Sequence, residues 1–208
     1  MKLGEIKIEA LRLMFADYAS DMSLETLQSM KDDENFGTYL SNMPGAINRC
    51  FARFEDKEVV PLKQYTLPKA NGTAANGRIR FDLSIIEDFG NVNRIIYEDT
   101  NDYNGNCSYT METDTTIMLE EKDGDYILIY HPTIPRVDSG TDDDEEIDLP
   151  DKIACLIPYF IKGDLYSEDE PSVSASARNL FEASLDNLNK EVKTKQSHVN
   201  CVYSQTEV

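Results

Sequence analysis

Two apolar stripes at helical spacing lie side by side between residues 149 and 190, and they constrain the chain more than any other feature. In the first, Ile153, Leu156, Ile157, Phe160, Ile161 and Leu165 recur three or four apart. Asp148 or Asp151 can cap its start, and Pro150 stands where a missing N–H costs nothing. Gly163 and the 167–171 segment are expected to weaken and end this helix. The second stripe begins near Pro171 or Ser172 and places Val173, Ala177, Leu180, Phe181, Leu185 and Leu188 on one face. Two such helices joined by a short acidic turn must bury each other or a third helix. Pro158, inside the first stripe, removes a backbone donor and should kink the helix or displace its start.

The third element comes from the opposite end of the chain. Leu3, Ile6, Leu11, Met14, Phe15 and Tyr18 predict an amphipathic helix over 3–19. Ser23 and Thr26 open a short second helical segment. Phe36, Tyr39, Leu40 and Met43 resume the helical period, and Pro44 fits the first turn of a helix carrying Ile47, Cys50, Phe51 and Phe54. Residues 1–58 and 149–190 together predict a helical bundle. Its expected core includes Leu11, Phe15, Ile47, Phe51, Leu156, Phe160, Leu180, Phe181 and Leu185.

After Pro61 the period changes from helical to alternating. Strands are expected at 62–67, 79–83, 92–97, 108–112, 116–120 and 126–130, the last almost wholly apolar and therefore central in its sheet. Asn71-Gly72, Asn76-Gly77 and Asp123-Gly124 are turn signals, the first two favouring positive backbone angles. Residues 59–137 thus predict an inserted antiparallel subdomain, a sandwich or barrel-like form. The fold class is α+β. The acidic run TDDDEEID leads a charged linker over 138–148, and 191–208 loses periodicity and reads as a flexible tail.

The 208 residues carry a formal charge of −19, which opposes adhesion to phosphates and to anionic membranes. No apolar run approaches the roughly 20 residues of a membrane span. The opening MKLGEIKIEALRLM lacks the apolar core of a signal peptide, since Glu5, Lys7 and Glu9 interrupt it. Synthesis in the cytoplasm is expected. Cys50, Cys107, Cys155 and Cys201 are scattered, with no metal-binding spacing, and thiols are expected rather than disulfides.

Candidate chemistry is sparse. The acids at 142–146 could meet calcium, but consecutive carboxylates converge poorly on one ion, and a solvated linker is the stronger reading. The 99–105 stretch resembles a calcium loop with Tyr103 where a ligand should be, and reads better as a hairpin tip. His131 and His198 lack the neighbours of a zinc site or nucleophile pair. No phosphate-cradling loop, GxSxG or HExxH is present. No enzyme, cofactor or metal site is expected.

Certain short words carry a resemblance. YILIYHPTIP (126–135), TDDDEEIDLPDKIACLIPYFIKGDLYSEDE (141–170) and ARNLFEASLDNL (177–188), with EALRLMF and INRCFARF earlier, resemble the head–tail connector (adaptor, or tail-tubular) proteins of tailed bacteriophages. The resemblance implies a virion structural protein of the neck or tail, assembled in the host bacterial cytoplasm. It also implies a ring of copies of the chain, commonly a dodecamer, joining the portal protein to tail or neck proteins while DNA passes without specific binding. The family has no catalytic residues to carry over. Its C-terminal segments typically engage the portal, a role that falls here on 191–208 with Val192, Val199, Val202 and Tyr203. Two other readings predict different behaviour. A tail or baseplate accessory would bind a protein or glycan through 62–130, and a hydrolase would depend on a carboxylate such as Asp102 or Asp143.

Overall fold

The computed structural model describes residues 1–15, 22–30, 33, 36–97 and 105–204, with the side chains of Gln28 and of 191–204 left aside. It is a mixed helix and sheet protein with two antiparallel sheets. The chain divides into two compact units. One joins Met1–Val59 to Arg136–Val208, and the other is Val60–Pro135.

The first unit is helical. Its elements are α1 (Leu3–Met14), α2 (Leu24–Ser29), α3 (Gly37–Asp56), α4 (Asp151–Ala154), α5 (Ile157–Leu165) and α6 (Pro171–Ser204). α1, α3 and α6 each pack against α5. Leu3, Ile6, Leu11, Met43, Ile47, Phe51, Phe54, Ile157, Ile161, Phe181 and Leu185 are buried in this unit. Phe181 is the aromatic hub, 5.0 Å from the Phe160 ring and 5.9 Å from that of Phe54. The last carbonyls of α1 lie beyond the reach of its own N–H ladder. They are met by α5 and the residue after it, where Lys162 Nζ donates to Leu13 O at 2.6 Å and the Tyr166 hydroxyl to Met14 O at 2.7 Å. Where the chain re-enters this unit, Asn48 of α3 clasps the backbone of Val137 through both amide atoms, at 2.7 and 2.9 Å.

Several helix expectations are corrected. α3 is one helix of 20 residues with Pro44 inside it, not a helix starting there. Only one internal hydrogen bond is lost at a proline, and the buried stripe Leu40, Met43, Ile47, Cys50, Phe51, Phe54 runs through it unbroken. The 149–165 stripe is two helices. Pro158 displaces the start of α5, whose first turn it occupies. Gly163 ends nothing. It lies buried within α5, and a Cβ there would come 2.7 Å from Arg178 Cγ and 3.2 Å from the Arg178 backbone nitrogen. The absent side chain lets α6 approach, and Gly163 O accepts from Ser174 Oγ at 2.5 Å and Arg178 Nε at 3.1 Å.

Leu180 is not core. It is 52% exposed, because the buried line on α6 is Ser174, Ala177, Phe181 and Leu185. One residue turns a helix by about 100°, which takes Leu180 off that line. Of the other expected core residues, Leu11, Ile47, Phe51, Leu156, Phe181 and Leu185 are buried, and Phe15 and Phe160 are half-buried. Helical backbone also replaces the end expected at 190: α6 continues to Ser204.

The second unit holds β1 (Lys63–Leu67), β2 (Thr73–Ala75), β3 (Arg78–Asp82), β4 (Phe89–Tyr97), β5 (Gly105–Asn106), β6 (Tyr109–Met111), β7 (Thr116–Glu120) and β8 (Tyr126–Pro132). They form two sheets, β1-β8-β4-β5 and β2-β3-β7-β6, in which every paired neighbour is antiparallel. Alternate residues of both sheets share one core: Leu67, Ile79, Phe81, Ile95, Tyr97, Ile117, Leu119, Tyr126, Leu128 and Tyr130. Strand period two makes this possible, since Ile79 and Phe81 turn inward while Arg78 and Arg80 turn outward. β8 is an internal strand, as its apolar sequence predicts. Asn76 and Gly77 have positive φ at the β2–β3 turn, as expected. Gly72 instead has φ −88° and passes close over Ile79 and Phe81. The loop expected at 99–105 falls, except for Gly105, outside the described residues.

Candidate functional site

The acidic segment is the first place where structure departs from expectation in a way that bears on function. Its backbone is not a free linker, although Asp142, Asp144, Glu145, Glu146 and Asp148 are exposed as expected. Asp143 O and Glu145 O accept from the N–H groups of Gly4 and Leu3 at 2.8 and 2.9 Å. These donors open α1 and have no partner within the helix. Lys2 Nζ meets Asp144 at 2.8 Å. Lys7 Nζ meets Asp143 at 2.6 Å, with only 7% and 11% of the two side chains exposed. The carboxylates at the N-terminus of α1 also complement the helix dipole. The run is thus a strap that fastens 143–147 across the start of the chain, with Asp143 held in an ion pair.

A polar cleft of about 840 Å³ opens between α3 and the end of α5. Tyr39, Asn42, Arg49, Asp164, Glu168 and Asp169 line it. Arg49 is paired with Asp164 at 2.5 Å, and the Tyr39 hydroxyl reaches Asp169 at 3.4 Å. Burial first, and Asp169 second, push the Tyr39 hydroxyl above its ordinary pKa. The serine hydroxyls in the cleft are turned back on their own backbone: Ser41 donates to Thr38 O and Ser167 to Asp164 O, each at 2.8 Å. Such a lining can hold a polar surface through charge and hydrogen bonds, with both serine hydroxyls already committed to backbone carbonyls.

In the sheet unit, Asp88 joins Lys63 and Tyr130. Lys63 Nζ is 2.9 Å from Asp88 Oδ2, and the Tyr130 hydroxyl donates to Oδ1 at 2.8 Å. Burial, then the neighbouring carboxylate, push Tyr130 up to about 12. Burial pushes Asp88 up, but the bonds from Lys63 and Tyr130 outweigh it and hold the carboxyl below its ordinary value. Asn93 Nδ2 and His131 Nε2 lie 3.1 Å apart. Cys50, Cys107 and Cys155 are free thiols, and burial holds Cys50 well above the ordinary thiol range. Among the described residues, no three His, Cys, Asp or Glu side chains are grouped to hold a metal ion. No described helix is long and apolar enough to cross a membrane.

The side chains of the expected docking segment, Val192, Val199, Val202 and Tyr203, lie outside the described residues, as does Asp102. The sequence reading missed Lys7, Arg49 and Asp164. Lys7 alone carried a signal, a lysine at a position of the α1 apolar face. Among the described residues, four large hydrophobic ones are exposed: Ile85, Leu180, Tyr109 and Met111. No protein-family model matches the sequence, and comparison with curated proteins finds no match.

Proposed function

We propose that this chain is the ring subunit of a phage-type head–tail connector, a structural protein that joins a portal to a tail and lines a passage for DNA. The observation that carries the reading is the chain's plan. Both ends of the sequence build one helical unit, read here as a bundle, and a contiguous sheet unit, read as a sandwich, is inserted between α3 and α4. The words that carry the resemblance fall on the junctions of that plan: 126–135 on β8 and its exit, 141–170 on the strap, α4 and α5, and 177–188 on the buried line of α6. The backbone of α6, 34 residues against the nine of α5, carries the segment read here as the portal-docking part. Net charge of −19 suits a conduit, because like charge keeps phosphates from adhering. A cyclic assembly needs two complementary faces on each copy and no symmetric patch.

The test is the mass of the full-length chain across concentrations, by light scattering behind a sizing column, with and without the portal protein of the same phage or prophage. The expected result is a ring that forms with portal and fails to form when residues 191–208 are deleted. A stable trimer indifferent to portal would overturn the reading and favour a tail or baseplate accessory that acts through its sheet unit.

A further inference from the structure

The sheet β2-β3-β7-β6 ends at both sides in a strand of three residues, Thr73–Ala75 and Tyr109–Met111, and all six residues are exposed. Neither strand carries a charge or a proline, although 28% of the chain is charged. Edge strands expose backbone donors and acceptors, and proteins that must stay apart guard them with charge, proline or bulges. Their shortness is itself one such guard, but no charge, proline or bulge is added to it. Two of the four large hydrophobic residues exposed among the described residues lie on one of them: Tyr109 at 39% and Met111 at 37% exposure.

The facing of these residues is fixed by their partners. Tyr109 and Met111 stand opposite Leu119 and Ile117, which are buried, so both turn to the core side and are left uncovered at its rim. Thr110, opposite Met118, turns outward. On the other edge Ala74 stands opposite buried Ile79 and shares its side, while Thr73 and Ala75, opposite Arg80 and Arg78, turn outward. Gly72 also lies on the core side, over Ile79 and Phe81. One edge therefore offers large core-side groups and the other small ones.

The geometry points to a second copy of this chain as the occupant: β6 of one subunit pairs with β2 of the next and extends the sheet across the subunit boundary. This inference rests on the ring reading and deepens it. Four strictly alternating strands leave β2 and β6 antiparallel to each other, so a copy added in the same orientation brings its β2 to β6 antiparallel. Residues directly opposite in a ladder share a face. Thr110 can therefore face only Thr73 or Ala75. The second register would set Tyr109 against Asn76, whose positive φ of 55° takes it out of the strand. The first sets Tyr109 over Ala74, Thr110 beside Thr73 and Met111 over Gly72, which stands just before β2 in extended backbone with its N–H already given to Lys69 O at 3.0 Å; large meets small on the core side, with a threonine pair outside.

The experiment uses the full-length chain with Cys107→Ala, Cys155→Ser and Cys201→Ser, assembled with the portal protein and oxidised. T73C/T110C should give a ladder of disulfide-linked oligomers, about tenfold stronger than that of A74C/T110C, because a one-residue slip turns the two thiols to opposite faces. T110C alone should give no linked dimer. An uncrosslinked ring of normal mass, T110C homodimers or a stronger A74C/T110C ladder would overturn the edge pairing and leave the ring reading standing. If the parent chain forms no ring on the sizing column, both fall. Ala74→Lys gives an independent readout. Ala74 is exposed, so the subunit should fold normally, and the inward charge should abolish assembly. A ring of normal mass from this variant would count against the pairing.

Discussion

Lys7 and Asp143 are 136 residues apart in sequence, yet their charged groups lie 2.6 Å apart with both side chains almost wholly shielded from water. The pair is the point at which the acidic segment becomes part of the helical unit.

Removing one member of a buried pair leaves the other charge without compensation. Asp143→Ala should lower stability by about 3–5 kcal/mol, whereas Lys7→Met with Asp143→Leu should recover most of that loss, since a well-packed apolar replacement is often neutral. Urea unfolding of the three variants checks this. Asp144→Ala, which loses the exposed partner of Lys2, should change stability by under about 1 kcal/mol. Equal losses at 143 and 144 would contradict the strap.

Gly163 and Gly45 make a paired test of helix packing. A methyl at Gly45 meets nothing closer than the tip of Arg49 at 3.4 Å, so Gly45→Ala should stabilise by up to about 1 kcal/mol through helix propensity. At Gly163 the same propensity gain is set against contact with Arg178, and a larger side chain must push α5 from α6. Gly163→Val should cost about 1–3 kcal/mol or more. Thermal unfolding of both variants reads the difference.

Leu180 and Phe181 are neighbours in sequence with opposite fates. Phe181→Ala should cost about 3–5 kcal/mol, and Leu180→Gln should stay within about 0.5 kcal/mol. Chemical denaturation separates them at once. Leu180→Gln that unfolds the subunit would restore Leu180 to the core.

The Lys63–Asp88–Tyr130 cluster links stability of the sheet unit to pH. Tyr130 has its folded pKa raised from 10.0 to about 12, so its contribution is complete below pH 10 and is lost as pH rises through about 12. Asp88 is lowered from 3.8, so its contribution is present above that value and is lost as pH falls through the folded pKa. Tyr130→Phe should cost about 1.5–3 kcal/mol near neutrality, the net worth of a hydrogen bond to a charged group. It should also flatten the decline between pH 10 and 12, read as denaturant midpoints across that range. An unchanged alkaline limb would mean that Tyr130 does not report on folding.

What could be read from sequence was periodic. The switch at Pro61 from three-and-four spacing to alternation falls beside Val60, where the sheet unit begins, and Pro135 is its last residue. β3, β4, β7 and β8 announced themselves by alternation or apolar density. β2 and β5 did not, being three and two residues long, too short to carry a pattern. Pro44 and Gly163 were read by local rules about helix ends. Both stand inside helices because packing of the buried stripe, and close approach to α6, outweigh local preference. The strap was invisible for a different reason: an acid run looks solvated until its partner is known, and Lys7 is at the far end of the chain.

The inserted plan also sets an order of events at the ribosome. Residues 60–135 are contiguous and emerge before α5 and α6, the helices on which α1 and α3 rest, so the sheet unit can fold while the helical unit is still missing half its parts. Until the last segment is made, α1 and α3 wait with their apolar faces uncovered. Protease challenge of nascent chains of increasing length should find the sheet unit protected first, and the amino-terminal helices only after the sequence through α6 has been released. For this fold, the beginning of the chain is the last part to become safe.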